Sequence, residues 1–276
     1  QRRSTQALYS LPSTAMRGGD FSEIAAGIYD PTTRTVGADG LITSTPFAGG
    51  IIPASRIEPI SKKLLEFYPA PNLASATPRV NNFQQAQGAP INRDQFVLRM
   101  DWVESSRSQW AGRYSWGDEV QANAGLKLNG SQVLTNVEQY MGSNTRTLSA
   151  NIVNETRFGY TRFYNSTARE LANVRNVVDE VGIPGLKGGA PITYGIPSVG
   201  LTNYSGFGDD SEGPYENKNR SMQFLNNTSW IHGHHSLRFG GEVRNDQFNQ
   251  DGNQFARGSF GFEVNASRRG PTGTGL

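Results

Sequence analysis

The sequence contains no cysteine, which removes disulfides, thiolate metal sites and cysteine nucleophiles from consideration. Histidine is scarce, and its three copies all fall within His232-Gly233-His234-His235. Neither sign of charge dominates: 26 basic residues face 24 acidic ones. No Lys/Arg run exceeds the pairs Arg2–Arg3, Lys62–Lys63 and Arg268–Arg269, so a nucleic-acid footprint is missing and no nucleic-acid partner is expected. Apolar runs of 18 residues are absent too, which excludes a membrane-crossing helix but not a membrane-crossing barrel, whose signal per strand is far weaker. Hydrophobic residues make up only 36% of the chain, below the ~45–50% of ordinary water-soluble domains.

What is present points to strands and loops. Glycine occurs 32 times in 276 residues, Asn, Ser and Thr are abundant, and aromatics reach 10%. A disordered chain would share the polarity but not the aromatics. The chain opens on Gln1, without an initiator Met or a signal peptide, and reads as a piece of a longer protein.

The stretch from Asp94 to Trp116 organises the rest. Phe96, Leu98, Met100 and Trp102 fall on one parity, against Gln95, Val97, Arg99 and Asp101 on the other. After a polar break at Glu104–Ser108, Trp110, Gly112, Tyr114 and Trp116 alternate with Gln109, Ala111, Arg113 and Ser115. Successive strand side chains point to opposite faces, so this predicts a β-hairpin with one apolar and one charged face. Each arm has about the length of a bilayer-crossing strand, roughly 9–11 residues. Aromatics end both apolar rows, where a membrane barrel has its girdles, although an ordinary sheet with one buried face shares the pattern.

Residues 1–92 show little strand pattern. One short helix is expected near 55–68, opened by a capping box at Ser55-Arg56-Ile57-Glu58, running through Pro59 to Leu64, Leu65 and Phe67, and stopped by Pro69 and Pro71. Beyond the hairpin come a Gly/Asn-rich loop, Gly117–Gly130, and a weak strand, Val133–Leu148, in which Glu138 and Arg146 share a parity. Val153–Tyr164 sets Thr156, Phe158 and Tyr160 against Glu155, Arg157 and Gly159; Arg162 falls on the apolar parity and fits only at an outer rim. Ala168–Arg220 is a long loop rich in turn formers. A third hairpin follows, Met222–Trp230 and then Leu237, Phe239, Gly241 and Val243 against Arg238, Gly240, Glu242 and Arg244. A last strand sets Phe260, Phe262 and Val264 against Glu263.

The charges therefore segregate, and the short connections Glu104–Ser108, Ser149–Asn151 and Gly233–His235 alternate with long ones, as in bacterial outer-membrane barrels. The expected fold is all-β: antiparallel up-and-down strands, about seven of them, forming part of a transmembrane β-barrel. Residues 1–92 would be a long extracellular loop region, and 93–276 barrel strands with a long loop at 168–220. Phe96, Leu98, Met100, Trp102, Trp110, Tyr114, Trp116, Phe158, Tyr160, Leu237, Phe239 and Val243 are expected to face lipid. Arg99, Asp101, Arg113, Glu155, Arg157, Arg238, Glu242 and Arg244 are expected to face the lumen, Arg99 with Glu155 or Asp101 as a possible partner. Seven strands would leave two open edges, with residues 1–92 and 168–220 projecting from the same end.

Several stretches also resemble the Oar-like TonB-dependent outer-membrane receptors. They are Met16-Arg17-Gly18-Gly19-Asp20-Phe21-Ser22, Ile28-Tyr29-Asp30-Pro31, Pro46-Phe47, Ile51-Ile52-Pro53-Ala54-Ser55-Arg56-Ile57, Phe67-Tyr68-Pro69-Ala70-Pro71-Asn72 and Asn81-Asn82-Phe83. Within the strands they are Gly112-Arg113-Tyr114-Ser115, Asn154-Glu155-Thr156-Arg157-Phe158-Gly159-Tyr160 and His235-Ser236-Leu237-Arg238-Phe239-Gly240-Gly241-Glu242. The resemblance implies a barrel of about 22 strands around an N-terminal plug. Plug and TonB-contacting segment would lie outside this chain, and residues 1–92 would be an early extracellular loop. It also implies contact with outer-membrane lipid, coupling to a TonB-type protein through that missing region, and import of a nutrient.

Chemistry of other kinds finds little support. No P-loop, dinucleotide fingerprint or G-x-S-x-G elbow appears, so no catalytic residues, no cofactor and no enzymatic activity are expected. His232 and His234 could share a face and hold a metal, but a polar turn accounts for them, and no metal site is expected. Asp209, Asp210 and Glu212, or Asp246, Asn249, Asp251 and Asn253, offer oxygen ligands for calcium without a full loop pattern. Three functions stay open on these residues: a nutrient receptor-transporter taking a sugar, siderophore or peptide, a barrel that anchors an adhesin, and a soluble carbohydrate-binding β-sandwich.

Overall fold

Alternation of apolar and polar side chains favours strands, and turn-forming dipeptides decide where they reverse. The computed structural model describes residues 4–38, 42–74, 79–209 and 214–263. In chain order its elements are β1 (Ser4–Tyr9), α1 (Thr14–Arg17), β2 (Thr35–Val36), β3 (Ile42–Thr43), α2 (Pro59–Glu66), β4 (Phe83–Gly88), β5 (Ile91–Ser105), β6 (Ser108–Asn123), β7 (Ser131–Ser149) and β8 (Ile152–Arg169). There follow α3 (Val177–Val181), β9 (Ser198–Leu201), β10 (Tyr215–His232), β11 (His235–Gln247), β12 (Gln250–Gly252) and β13 (Ser259–Phe262).

The long strands form one antiparallel sheet in the order β11-β10-β8-β7-β6-β5, with the short β12 also on β10. Among the described residues it does not close: β5 and β11 are its edges. Two-residue turns join the strands at one end, Ser106–Arg107, Ala150–Asn151 and Gly233–His234. Gly233 sits at φ 58°, the left-handed conformation that a tight hairpin turn demands. At the other end the connections are residues 124–130 and 170–214.

The strands run 15 to 19 residues in β5–β8, well past the span that a bilayer needs. The stretch Gly117–Asn123, expected in a loop, continues β6 instead. Its partners Ser131–Val137 supply every rung, so the ladder goes on where the apolar alternation has stopped. The expected last strand is misplaced as well. β13 leaves the large sheet and pairs in parallel with β9, so Phe260, Phe262 and Glu263 have no place in the wall; Val264 lies outside the described residues.

The hydrophobic core lies outside the sheet. Leu11, Phe67, Tyr68, Leu126, Leu171, Val177, Val181, Ile196, Val199 and Phe207 form one buried cluster, all contributed by segments at the long-loop end. The 1–92 region and the 170–214 loop therefore interlock into a cap. Tyr68 stacks on Phe207 with ring centroids 4.6 Å apart, and its hydroxyl donates to the Ser205 carbonyl. The Arg175 guanidinium lies over the Phe67 ring at 4.8 Å, and Lys63 donates to the Glu180 carbonyl at 3.1 Å.

Two details of the 1–92 region differ from expectation. β1 and β4 pair antiparallel from Ser4↔Gly88 to Tyr9↔Phe83, closing the region at its base, a pairing too distant in sequence to show as a hairpin. The helix α2 starts at Pro59, with Glu58 at the cap position and no side-chain cap bond; Ala54–Arg56 is a separate 3-10 turn, so there is no capping box. Proline at the first helical position presets φ and gives up only an N–H with no partner in the helix, which fixes this later start.

Candidate functional site

The pairing register builds the two faces of the wall. Leu98, Tyr114, Tyr140, Tyr160 and Met222 are successive partners across β5, β6, β7, β8 and β10. Their tyrosine rings pack tilted against one another, with centroids 4.8 Å apart for Tyr114 and Tyr140 and 6.1 Å apart for Tyr140 and Tyr160. One step toward the short turns lies the row Met100, Gly112, Gly142, Phe158, Phe224 and Val243. Trp102 faces Trp110, Phe96 faces Trp116, and Leu237 and Phe239 continue the same face on β11. All twelve residues of the apolar set thus share one face. From Phe96 to Trp102 the band spans six residues, about 20 Å along the strand.

The opposite face holds the eight charged positions, and several of them find partners along the same strand or on the next. Arg99 donates twice to Asp101, both bonds at 2.8 Å, and Arg157 to Glu155 at 2.8 Å. Gln223 donates to Glu242 at 2.7 Å, and Arg244 pairs with Asp246 at 2.9 Å. Arg113, the cross-strand partner of Arg99, donates to the Ser115 hydroxyl at 3.0 Å. Residues two apart share a face, so i,i+2 pairing keeps the charges together on one side.

The segregation is incomplete. Glu138, Arg146, Arg162, Lys218 and Arg220 share the aromatic face. Arg162 stands opposite Glu138, one step from the tyrosine row toward the long loops, in the row that Trp116 and Phe96 complete on β6 and β5. Near the short turns, Glu104 accepts from Ser108 and Trp110, at 2.7 and 3.1 Å, and from Arg146 at 3.4 Å. Asn154 and Asn226 exchange amide bonds, at 3.0 and 3.2 Å, and reach Thr228 and Thr156. Alternation alone gave no sign of this last group.

The cap is pinned by the motifs quoted above. Arg17 donates to the carbonyls of Leu65 at 2.7 Å and Pro69 at 3.3 Å, closing the C-terminal end of α2. Arg56 forks onto Asp30 at 2.8 and 2.9 Å; those bonds, with Thr32, hold the Asp30 carboxyl well below the usual carboxylate range. Ile52 N–H donates to Gly19 O at 2.9 Å, and a side chain at Gly19 would meet Ile57. Stretches scattered over 16–83 thereby become one body.

Of the calcium candidates, Asp209 is committed elsewhere. It is 1% exposed and pairs at 2.9 Å with Arg257, itself 3% exposed, tying the segment before β13 to the 193–209 stretch. Burial pushes its carboxyl up to about 6, against the pull of Arg257 and Arg169. Asp210 and Glu212 lie outside the described residues. Asp246 takes Arg244, Asn249 donates to the Lys218 carbonyl at 3.2 Å, and Asn253 caps its own turn at Phe255. His232 and His235 are cross-strand partners, with His234 in the turn between them.

Two clefts lie where cap meets wall. One, of about 490 Å³, is lined by Gln85, Asn123, Lys127, Gln132, Glu170 and Asn173 among others. The other, of about 390 Å³, has Tyr164, Tyr215, Glu216, Asp251 and Asn253 beside Ile192 and Pro214.

A strand wall with an aromatic-bounded apolar face, a charged opposite face, and short turns at one end only is the wall of a membrane β-barrel. The chain belongs to the family described as outer membrane beta barrel domain, whose model matches residues 1–275. The protein is accordingly one of the bacterial outer membrane, and the soluble sandwich is set aside. No curated protein and no solved structure matches the chain.

Proposed function

We propose that this chain is part of a TonB-dependent receptor of the Oar-like kind, a binding and import protein and not an enzyme. The observation that supports the reading is the interlocked cap, whose polar and aromatic clefts of about 490 and 390 Å³ open at the rim of the wall. Side-chain amides and aromatic rings in such clefts suit an organic nutrient carrying hydroxyl or amide groups. On this reading the apolar set from Phe96 to Val243 meets lipid and the charged set meets the lumen. Coupling to the inner membrane would pass through a plug and TonB-contacting segment upstream.

The test uses the full-length protein in its own host. Cells deleted for it are supplied with single nutrients in turn: oligosaccharides, iron-loaded siderophores and peptides. One class should fail to support growth, and failure should recur when the TonB-contacting segment is removed or when Tyr215→Ala and Asn123→Ala alter the clefts. Normal growth on every nutrient, together with lost attachment to surfaces, would replace transport by adhesion.

A further inference from the structure

We propose that Arg162, Arg220 and Lys218 form a site, on the outside of the wall, for the phosphorylated headgroup of an outer-leaflet glycolipid. Glu138, Arg162 and Arg220 are successive partners across β7, β8 and β10, one step beyond the row of Tyr140, Tyr160 and Met222 toward the long loops. Lys218 lies two residues further along β10, on the same face. The row of Glu138, Arg162 and Arg220 continues into Trp116 on β6 and Phe96 on β5, so the two arginines stand level with the outer aromatic girdle and Lys218 just beyond it, at the level of lipid headgroups.

Arg162 and Arg220 are directly opposed, and like charges so placed destabilise a sheet. One carboxylate serves the pair: Glu138 reaches Arg162 at 3.8 Å. Arg220 is exposed and has no ion pair among the described residues. Lys218 pairs with Glu216 at 2.8 Å, a carboxylate that also accepts from the Tyr164 hydroxyl at 2.7 Å. An anion between the two guanidinium groups would relieve their repulsion, and a phosphate matches their fork geometry.

The position selects a lipid over a free anion. Tyr160, Met222, Phe158 and Phe224 lie immediately below on the same face, so acyl chains have an apolar track continuous with the phosphate site. In the row of the two arginines β6 and β5 present Trp116 and Phe96, and in the row of Lys218 they present Asp118 and Asp94, which confines the attraction to β8 and β10. The inference rests on the apolar face being the lipid face, which probes at positions 98 and 99 test separately.

The experiment takes the full-length receptor, delipidated in detergent, and counts bound lipid by native mass spectrometry. The probes are bisphosphorylated lipid A, the same molecule stripped of phosphate, and inorganic phosphate. Wild-type protein should retain the phosphorylated form about tenfold or more better than the stripped one, as expected for charge-assisted bonds. Inorganic phosphate at the same concentration should not displace it. Arg162→Gln with Arg220→Gln should abolish the preference, while Arg113→Gln on the opposite face should leave it intact. Equal retention of both lipids by wild type overturns the proposal whether or not the double variant folds. So does an undiminished preference in a folded double variant, and displacement by inorganic phosphate would reveal a free-anion site instead.

Discussion

The side-chain amide of Asn82 accepts from the backbone N–H of Leu11 and donates to its carbonyl, both at 2.8 Å, across 71 residues. Both residues are buried, so the amide behaves as one more rung beyond the β1–β4 pair. Asn82→Ala should leave a buried donor and acceptor on Leu11 unanswered and destabilise the cap by about 1–3 kcal/mol. Hydrogen exchange should rise in 9–83 while β6–β8 stay protected. Unchanged exchange in that segment would refute the role.

Leu98 and Arg99 are sequence neighbours on opposite faces of β5. If the aromatic face meets lipid, Leu98→Arg costs on the order of 2–4 kcal/mol near the midplane. Arg99→Leu should cost less, since it gives up an exposed pair with Asp101. Lipid-soluble quenchers should reach a fluorophore at 98 and miss one at 99 in the full-length receptor. Shielding of both would mean that the apolar rows pack against protein.

The Asp209 carboxyl sits at about 6 in the folded cap, above its ordinary range near 3.9. The fold therefore favours its protonated form. The stability it contributes is complete below about pH 4 and is lost as pH rises through about 6, on the order of 2–3 kcal/mol. Protease resistance of the cap should fall over that interval, and Asp209→Asn should flatten the profile. A wild-type profile that instead rises would reverse the sign.

Glycines at two places should answer oppositely to alanine. At Gly208, φ is +88° and a Cβ would stand 1.9 Å from the Pro197 carbonyl oxygen, so Gly208→Ala should open the 196–209 segment to proteolysis. At Gly112 no atom lies within 4 Å of the added carbon, and a strand-interior glycine costs roughly 0.5–1 kcal/mol relative to alanine. Gly112→Ala should raise the temperature at which the barrel loses its compact electrophoretic form.

Alternation could be read between Phe96 and Trp116 because the two faces of those strands meet different surroundings. It vanishes at Gly117–Asn123, where the ladder continues past the aromatic rows and neither parity of β6 carries an aromatic residue. Glu138, Arg162 and Arg220 disturb the pattern because they stand at that border. The cap was less legible still. Its residues follow no period, and its strands β1 and β4 pair across the whole first loop. Its most buried charges, Asp209 and Arg257, are nearly fifty residues apart; the acidic run around Asp209 suggested a cation, and the distant arginine that answers it gave no local sign.

β13 runs from beyond β11 and β12 back to β9, and the two strands lie parallel over four rungs, Ser259↔Ser198 to Phe262↔Leu201. The β10–β11 hairpin is thereby enclosed between chain segments that rejoin above it. Tension drawn along the chain past Phe262 would load those rungs side by side, in shear, instead of peeling them one after another. Such a clasp resists a steady pull, and it closes a long stretch of chain at less entropic cost once the hairpin it encloses has formed. In this part of the wall, local pairing therefore favours a cap that locks late.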